Sequence, residues 1–408
     1  MRTASVAIGS LLGAIMVTGL NGVGPDEGKG GRPFEELAQW LRLEAKRQIE
    51  GCRRASGDGS TYCFTPDGAG RYGALWTRDF CYMVEGYGDA ISGVDLRNAV
   101  RYLLEGVRQD GVAPDRVQLD GRAVYSAGSV GNPVGEPPTD NAQFLVKLVE
   151  LAVKRTGDAG LFKEHTATLE KAMGSIPRRD DGLVYIDPKG PDRSPYGFTD
   201  CIRKTGAVLF SSVLYWESAQ CMARLYEKVG RGTESERWRR EAKRIRDSLG
   251  ALWDEKEGVF LAATKECRQP DVWGSAYAVF TGAATEQQTR AIARWLERHY
   301  SKMVWQGMVR HVREPEGWQA TLRPVRLNTY QNGGYWPVPA AWVIHTLRRV
   351  NPQRARGMLL DLLRHMREQG VNEWENKGGA VGVRDYVASA TLTLIAVREE
   401  EQRSVRAK

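Results

Sequence analysis

Ala142-Gln143-Phe144-Leu145-Val146-Lys147-Leu148-Val149-Glu150-Leu151-Ala152-Val153 is apolar on nearly every side of a helical wheel. Ala207-Val208-Leu209-Phe210-Ser211-Ser212-Val213-Leu214-Tyr215-Trp216 is of the same kind. Such helices are buried on most of their faces. Other segments carry one apolar stripe only. Trp238, Ala242, Ile245 and Leu249 step by four, three and four, and Ala355, Met358, Leu359, Leu362, Leu363 and Met366 repeat the pattern. Their remaining faces are charged and look toward water. A buried helix alternating with a one-striped helix is what two concentric helical layers require.

The periodicity predicts helices near 33–52, 79–91, 95–109, 139–156, 159–174, 201–229, 233–250, 271–281, 286–299, 336–349, 352–368 and 386–400. Gly157, Gly230 and Gly370 stand just past three of these ends, where a left-handed residue closes a helix. Twelve helices make six hairpins. An irregular α-solenoid shares the pairing, but no repeat of fixed length with recurring positions is visible. The connections 53–78, 110–137, 175–199, 254–270, 300–335 and 369–385 are long for a compact domain, as functional loops are. Gly182 to Ile186 and Gly258 to Leu261 read as short β-ribbons within them. Emerging on one face, these loops would line a single cleft.

The expected organisation is a leader over 1–31 followed by one domain over 32–408. Residues 3–24 carry no charge and follow Arg2, a pattern similar to a secretory signal, so the predicted location is secreted or periplasmic. No other segment could span a bilayer. The net charge of +8 is dispersed among acids, so neither a nucleic-acid patch nor a membrane-binding face is expected. The six cysteines form no Cys-x-x-Cys pair. Cys201 and Cys221 would lie too far apart on one helix to bond, and Cys52 with Cys63 is the only attractive local pair. The five histidines fall mostly on outer-type helices, none beside a candidate acid, and no phosphate-binding or dinucleotide motif is present. No metal and no cofactor is expected.

The densest polar and aromatic stretch is Leu327-Asn328-Thr329-Tyr330-Gln331-Asn332-Gly333-Gly334-Tyr335-Trp336-Pro337. Rings stack on apolar sugar faces, amides and hydroxyls answer hydroxyls, and Gly-Gly admits close backbone approach. That mixture suits a neutral, hydroxyl-rich ligand. Further candidates are Trp76-Thr77-Arg78-Asp79-Phe80, Thr139-Asp140-Asn141, Phe198-Thr199-Asp200, Asp271-Val272-Trp273 and Asn372-Glu373-Trp374-Glu375-Asn376. Asp140, Asp200 and Asp271 also read as helix caps. Trp374 between two glutamates argues that one of them points inward. Hydrolysis of a glycosidic bond needs two carboxyls across a sugar, one protonated and one ionised. Composition alone does not say which two converge.

These motifs resemble the six-hairpin glycosidase superfamily, and most closely its alkaline/neutral invertase type. Arg78-Asp79-Phe80 is similar to the family's Arg-Asp-Phe, and Pro138-Thr139-Asp140 with Gly157-Asp158 to its Pro-Val-Asp-Ser…Thr-Gly-Asp. Asp200 to Gly206 resembles the segment bearing the catalytic acid. Tyr330 to Pro337 resembles Tyr-His-Asn-Gly-Gly-Ser-Trp-Pro. Glu373-Trp374-Glu375-Asn376 falls where the family has Pro-Glu-Tyr-Tyr-Asp with the catalytic base. Two departures stand out: Asp-Arg-Arg-Met-Gly is here Asp200 followed by Cys201-Ile202-Arg203-Lys204-Thr205-Gly206, and the Pro before the Glu is Asn372.

The resemblance implies an all-α (α/α)6 six-hairpin barrel with short β-ribbons in its loops, and an inverting glycoside hydrolase acting on a carbohydrate. It implies Asp200 as general acid and Glu373 as general base, with Glu375 as the alternative base. Trp76, Arg78, Asp79, Asp140, Tyr330, Gln331, Asn332, Trp336 and Glu375 would bind substrate. A polysaccharide lyase, a sugar epimerase or a non-catalytic glycan-binding protein on the same barrel are the competing readings.

Overall fold

A computed structural model describes residues 31–129 and 132–406. The export segment read at 3–24 lies outside the described residues. About 52% of the chain is helical. The helices are α1 (Gly31–Cys52), α2 (Thr77–Tyr87), α3 (Gly93–Glu105), α4 (Asn141–Thr156), α5 (Gly160–Gly174), α6 (Leu209–Lys228), α7 (Gly232–Ser248), α8 (Val272–Thr281), α9 (Glu286–Arg298), α10 (Ala340–Leu347), α11 (Pro352–Gln369) and α12 (Val387–Arg406). Each expected span overlaps one of them.

Two starts differ from expectation. The helix read from 201 begins at Leu209, because the preceding residues pair elsewhere. Leu322 N donates to Cys201 O at 2.7 Å, Arg203 N to Ala320 O at 3.1 Å, and Gly206–Ala207 forms a ribbon with Tyr185–Ile186. Tertiary strand-like pairing outweighs helix propensity there. Cys201 is therefore not on the helix that carries Cys221, and all six cysteines are free thiols. The helix read from 336 begins at Ala340, since Trp336 pairs with Val309 through both backbone groups.

Two layers are evident in the packing. Helices α2, α4, α6, α8, α10 and α12 each pack against the next, and α12 returns to α2. The odd-numbered helices lie on this cycle, with α7 on α6, α9 on α8 and α10, and α11 on α10. Burial agrees with the wheel patterns. In α4 every residue from Asn141 to Glu150 is buried, whereas α7 buries only Ser235, Trp238, Ala242 and Ile245.

Aromatic side chains from successive inner helices fill the centre. Tyr82 meets Phe144 at 5.1 Å between centroids, Phe210 stacks on Tyr277 at 4.8 Å, and Tyr277 meets Trp342 at 4.7 Å. Tyr196 stacks on Phe210 at 3.9 Å and touches Phe198 at 5.6 Å, so the column continues into the loop layer. The remaining strands are two- or three-residue ribbons in the connections. No helix among the described residues is long and apolar enough to cross a membrane.

Candidate active site

Five of the six long connections converge on one cavity of about 380 Å³. Pro66, Arg71, Tyr72, Gly73, Ala74 and Trp76 come from the first, Arg116, Gln118 and Gly128 from the second, and Gly197 and Phe198 from the third. Tyr330 and Glu373 come from the last two, and Arg78, Asp79, Asp200 and Tyr386 complete the wall. The 254–270 connection does not reach it. Phe198 forms part of the wall at the top of the aromatic column.

Asp200 follows a short turn, Gly197–Thr199, rather than opening a helix. Its Oδ1 accepts from Gln331 Nε2 at 2.7 Å, and Gln331 Oε1 accepts from Cys201 N at 2.8 Å. The Gln331 amide thus fixes both the acid and the backbone beside it. Burial pushes the Asp200 carboxyl up to about 6, although Gln331 and the neighbouring Cys201 thiol both favour its ionised form.

Glu373 approaches from the opposite end of the chain. Its Oε1 accepts from Tyr72 Oη at 2.9 Å and its Oε2 from Val383 N at 3.2 Å. Burial pushes it up to about 7, against those two donors and with help from the charges of Asp79 and Asp200. Asp79, bonded by the Tyr386 hydroxyl, is raised by burial to about 6, with Arg78 opposing. Three carboxyls sharing one enclosed space cannot all ionise cheaply near neutral pH.

Arg78 is held from behind rather than offered freely to a ligand. Its Nη1 lies 3.3 Å from Asp140 Oδ2 and 3.5 Å from Asp115 Oδ1, all three side chains being buried. The guanidinium also lies against Gly197, where a Cβ would stand 1.6 Å from Cζ, so any side chain at 197 would expel it. Asp140 occupies the N-cap position of α4 without making a cap bond. Its Oδ2 accepts from Gly197 N at 2.9 Å instead. Asp271, of the two roles open to it, takes that of a cap for α8, accepting from Gly274 N at 2.9 Å.

Of the residues expected to contact substrate, Trp76, Arg78, Asp79 and Tyr330 line the cavity, together with Asp200 and Glu373. Asp140, Gln331, Asn332, Trp336 and Glu375 do not line it. Trp336 stands behind Phe198, at 5.6 Å between ring centroids. Asn332 holds its own loop, accepting from Trp318 N at 2.8 Å and donating to Val325 O at 3.0 Å. The Gly333-Gly334 pair serves this loop too, since a Cβ at 334 would stand 2.6 Å from Tyr330 O. Glu375 is buried and turned toward outer helix α11. It accepts from Asn372 Nδ2 at 2.9 Å and bonds His365 Nε2 at 2.8 Å, and although burial opposes it, these partners hold its carboxyl below the usual range. A histidine does therefore stand beside a candidate acid, reached from outer helix α11, which sequence spacing could not show.

Sequence reasoning missed Tyr72, Asp115, Arg116, Gly197 and Tyr386. Tyr72 and Asp115 sit in connections with no periodicity to orient them, and Tyr386 reads simply as the first turn of an apolar helix. Among the described residues, no group of three or more His, Cys, Asp or Glu side chains could hold a metal ion.

The raised carboxyls have a thermodynamic consequence. A carboxyl whose folded value lies above its unfolded one stabilises the fold fully below the unfolded value, and that contribution is lost as pH rises through the folded value. For Glu373 the window runs from 4.5 to about 7. The shift corresponds to about 3 kcal/mol of cost at pH 8. Gln at 373 has one oxygen for two donors and forfeits about 1 kcal/mol of hydrogen bonding. Glu373→Gln should accordingly be more stable than the parent by about 2 kcal/mol at pH 8. At pH 4 the advantage should be gone. Urea melts at the two pH values check this; an equal difference at both would contradict the buried, uncompensated carboxyl.

No protein-family model matches the chain, and no curated protein matches it in sequence. Solved structures do match it in three dimensions. A rhamnosidase from Klebsiella oxytoca with rhamnose bound superposes with a TM-score of 0.64 at 15% identity, over 92% of this chain and 66% of that one. A GH63 mannosylglycerate hydrolase from Thermus thermophilus, in complex with Tris and D-glycerate, gives 0.62 at 14% identity, over 87% of this chain and 99% of that one. An uncharacterized conserved protein from the same organism gives 0.62 at 17%, with the same coverage. The chain shares their fold. The glycoside hydrolases among these matches belong to the six-hairpin glycosidase superfamily. At these identities the likeness carries architecture, and activity must be argued from the site itself.

Proposed function

We propose that this protein is an inverting glycoside hydrolase on an (α/α)6 barrel, with Asp200 as general acid and Glu373 as general base. One observation carries the reading: two buried carboxyls, 173 positions apart in the chain, face a single cavity walled by Trp76, Phe198, Tyr330 and Tyr386. Rings and apolar walls around paired acids are what a sugar ring and its cleavage require. The sugar complexes of structurally similar proteins, one with rhamnose and one GH63 hydrolase with glucose, support the substrate class.

In this mechanism Asp200 donates its proton to the scissile oxygen while Glu373 takes a proton from water attacking the anomeric carbon from the opposite side. Burial alone favours the proton on Glu373, whose value is the higher of the two. The lone pairs that a bound glycosidic oxygen offers to Asp200 favour it there. Asp79, with Arg78 behind it, is placed to accept sugar hydroxyls. Trp76 and Tyr330 offer ring faces.

The pair should titrate as a unit whose singly protonated form is active. A plot of kcat/KM against pH should be bell-shaped, with limbs near the two carboxyl values of about 6 and about 7. A rate still rising at pH 9 would contradict this assignment. The function itself is tested by incubating the protein with a panel of α- and β-glycosides and following the released sugar by proton NMR. The reading expects the first-formed anomer to be inverted. Unsaturated uronate ends would favour a lyase, and binding without turnover across the panel a glycan-binding role.

A further inference from the structure

We propose that Tyr72 is a positioning residue for Glu373, its phenolic hydroxyl holding the carboxylate in the orientation and charge state that water activation requires. This rests on Glu373 being the base. The hydroxyl donates to Glu373 Oε1 at 2.9 Å while Val383 N takes Oε2, so each oxygen has one fixed donor. Both donors are neutral. Glu375, by contrast, is bonded by His365 and Asn372, and its carboxyl is held below the usual range, which makes it the poorer proton acceptor. A neutral phenol orients the group and leaves it able to take a proton.

Tyr72 is itself rigidly placed. The backbone N–H groups of Arg71 and Tyr72 donate to the two carboxyl oxygens of buried Asp67 at 3.0 and 2.9 Å, and Asp67 forms a β-bridge with Tyr386. Trp76 Nε1 donates to Tyr72 O at 3.3 Å, and the Tyr72 ring stands edge-on to Trp76 at 5.4 Å and to Tyr386 at 6.2 Å. A loop 301 positions from Glu373 in sequence is thus locked to deliver one hydroxyl. The other titratable or charged groups lining this cavity are Asp79, Asp200, Tyr330, Tyr386, Arg71, Arg78 and Arg116. Among the described residues none of them makes a hydrogen bond to Glu373.

The test is Tyr72→Phe, which keeps the ring and removes only the donor. Carboxyl titration is followed by NMR of protein labelled with ¹³C at glutamate side chains, the Glu373 resonance being assigned by its absence in Glu373→Gln. Losing one hydrogen bond to the ionised form should raise the Glu373 midpoint by about one pH unit. Glu373 having the higher value of the pair, the alkaline limb of kcat/KM should rise with it and activity at pH 5 should fall about tenfold, while KM stays within about twofold. A difluorotyrosine at 72, a stronger donor, should move the midpoint the other way. An unmoved midpoint in both variants overturns the proposal. A moved midpoint with an unmoved kinetic limb upholds the contact and places the failure in the assignment of Glu373 as base.

Discussion

Asp200→Asn and Glu373→Gln should each lower kcat/KM on an alkyl glycoside by about 10² to 10⁴, the range that a lost general acid or base produces. Their response to the leaving group should separate them. A glycosyl fluoride needs no proton to depart, so Asp200→Asn should recover to within about tenfold of the parent on that substrate. Water must still be activated, so Glu373→Gln should remain inactive on both. The side chains are near-isosteric, and Asn at 200 can still present an oxygen to Gln331 Nε2, which lies 2.7 Å from Asp200 Oδ1 in the parent. A folding defect therefore does not explain the expected loss. The opposite pattern would exchange the two roles. Near-normal rates in both variants would remove the hydrolase reading altogether.

Lys147→Met should cost about 3–5 kcal/mol of stability, the penalty for leaving buried charge without its partner. Lys147 Nζ lies 2.8 Å from Glu85 Oε1 and 2.9 Å from Glu217 Oε1, and Tyr277 donates its hydroxyl to the second Glu217 oxygen. These four residues sit on α2, α4, α6 and α8, so one ammonium ties together four successive inner helices. Methionine fits the apolar surroundings of α4, but it leaves two largely buried carboxylates without their cation. Replacing Lys147, Glu85 and Glu217 together with apolar residues should restore much of the loss, since a buried ion cluster is worth little against well-packed hydrophobic residues. Urea denaturation of the single and triple variants checks both statements. A single variant within about 1 kcal/mol of the parent, the scale of a surface change, would show that the cluster is hydrated rather than buried.

Residues 142–153 show what was legible and what was not. Their apolar wheel correctly implies an inner helix, because burial depends on periodicity and periodicity is written locally. Why a lysine sits at 147 in that helix is not legible, because its partners lie on other helices. The same division runs through the site. Asp200 and Glu373 reach the cavity from segments marked by aromatic and polar density. Glu375 does not, since the choice between neighbouring glutamates depends on a two-residue alternation and on His365 arriving from α11. The helix wrongly begun at 201 fails for the same reason: most backbone N–H groups over residues 201–208 bond to distant loops rather than to their own turn. The sequence marks Arg78 as a ligand contact, and only the fold shows Asp115 and Asp140 closing behind it.

The central claim is that a sugar ring lies between Asp200 and Glu373. A crystal structure of Glu373→Gln with an uncleaved glycoside tests it most directly. The account predicts the scissile oxygen within hydrogen-bond distance of the Asp200 carboxyl. It also predicts an ordered water between residue 373 and the anomeric carbon, with the two side-chain carboxyl positions about 6.5–9.5 Å apart. A ligand bound elsewhere, or one with both residues on the same side of its ring, would contradict it.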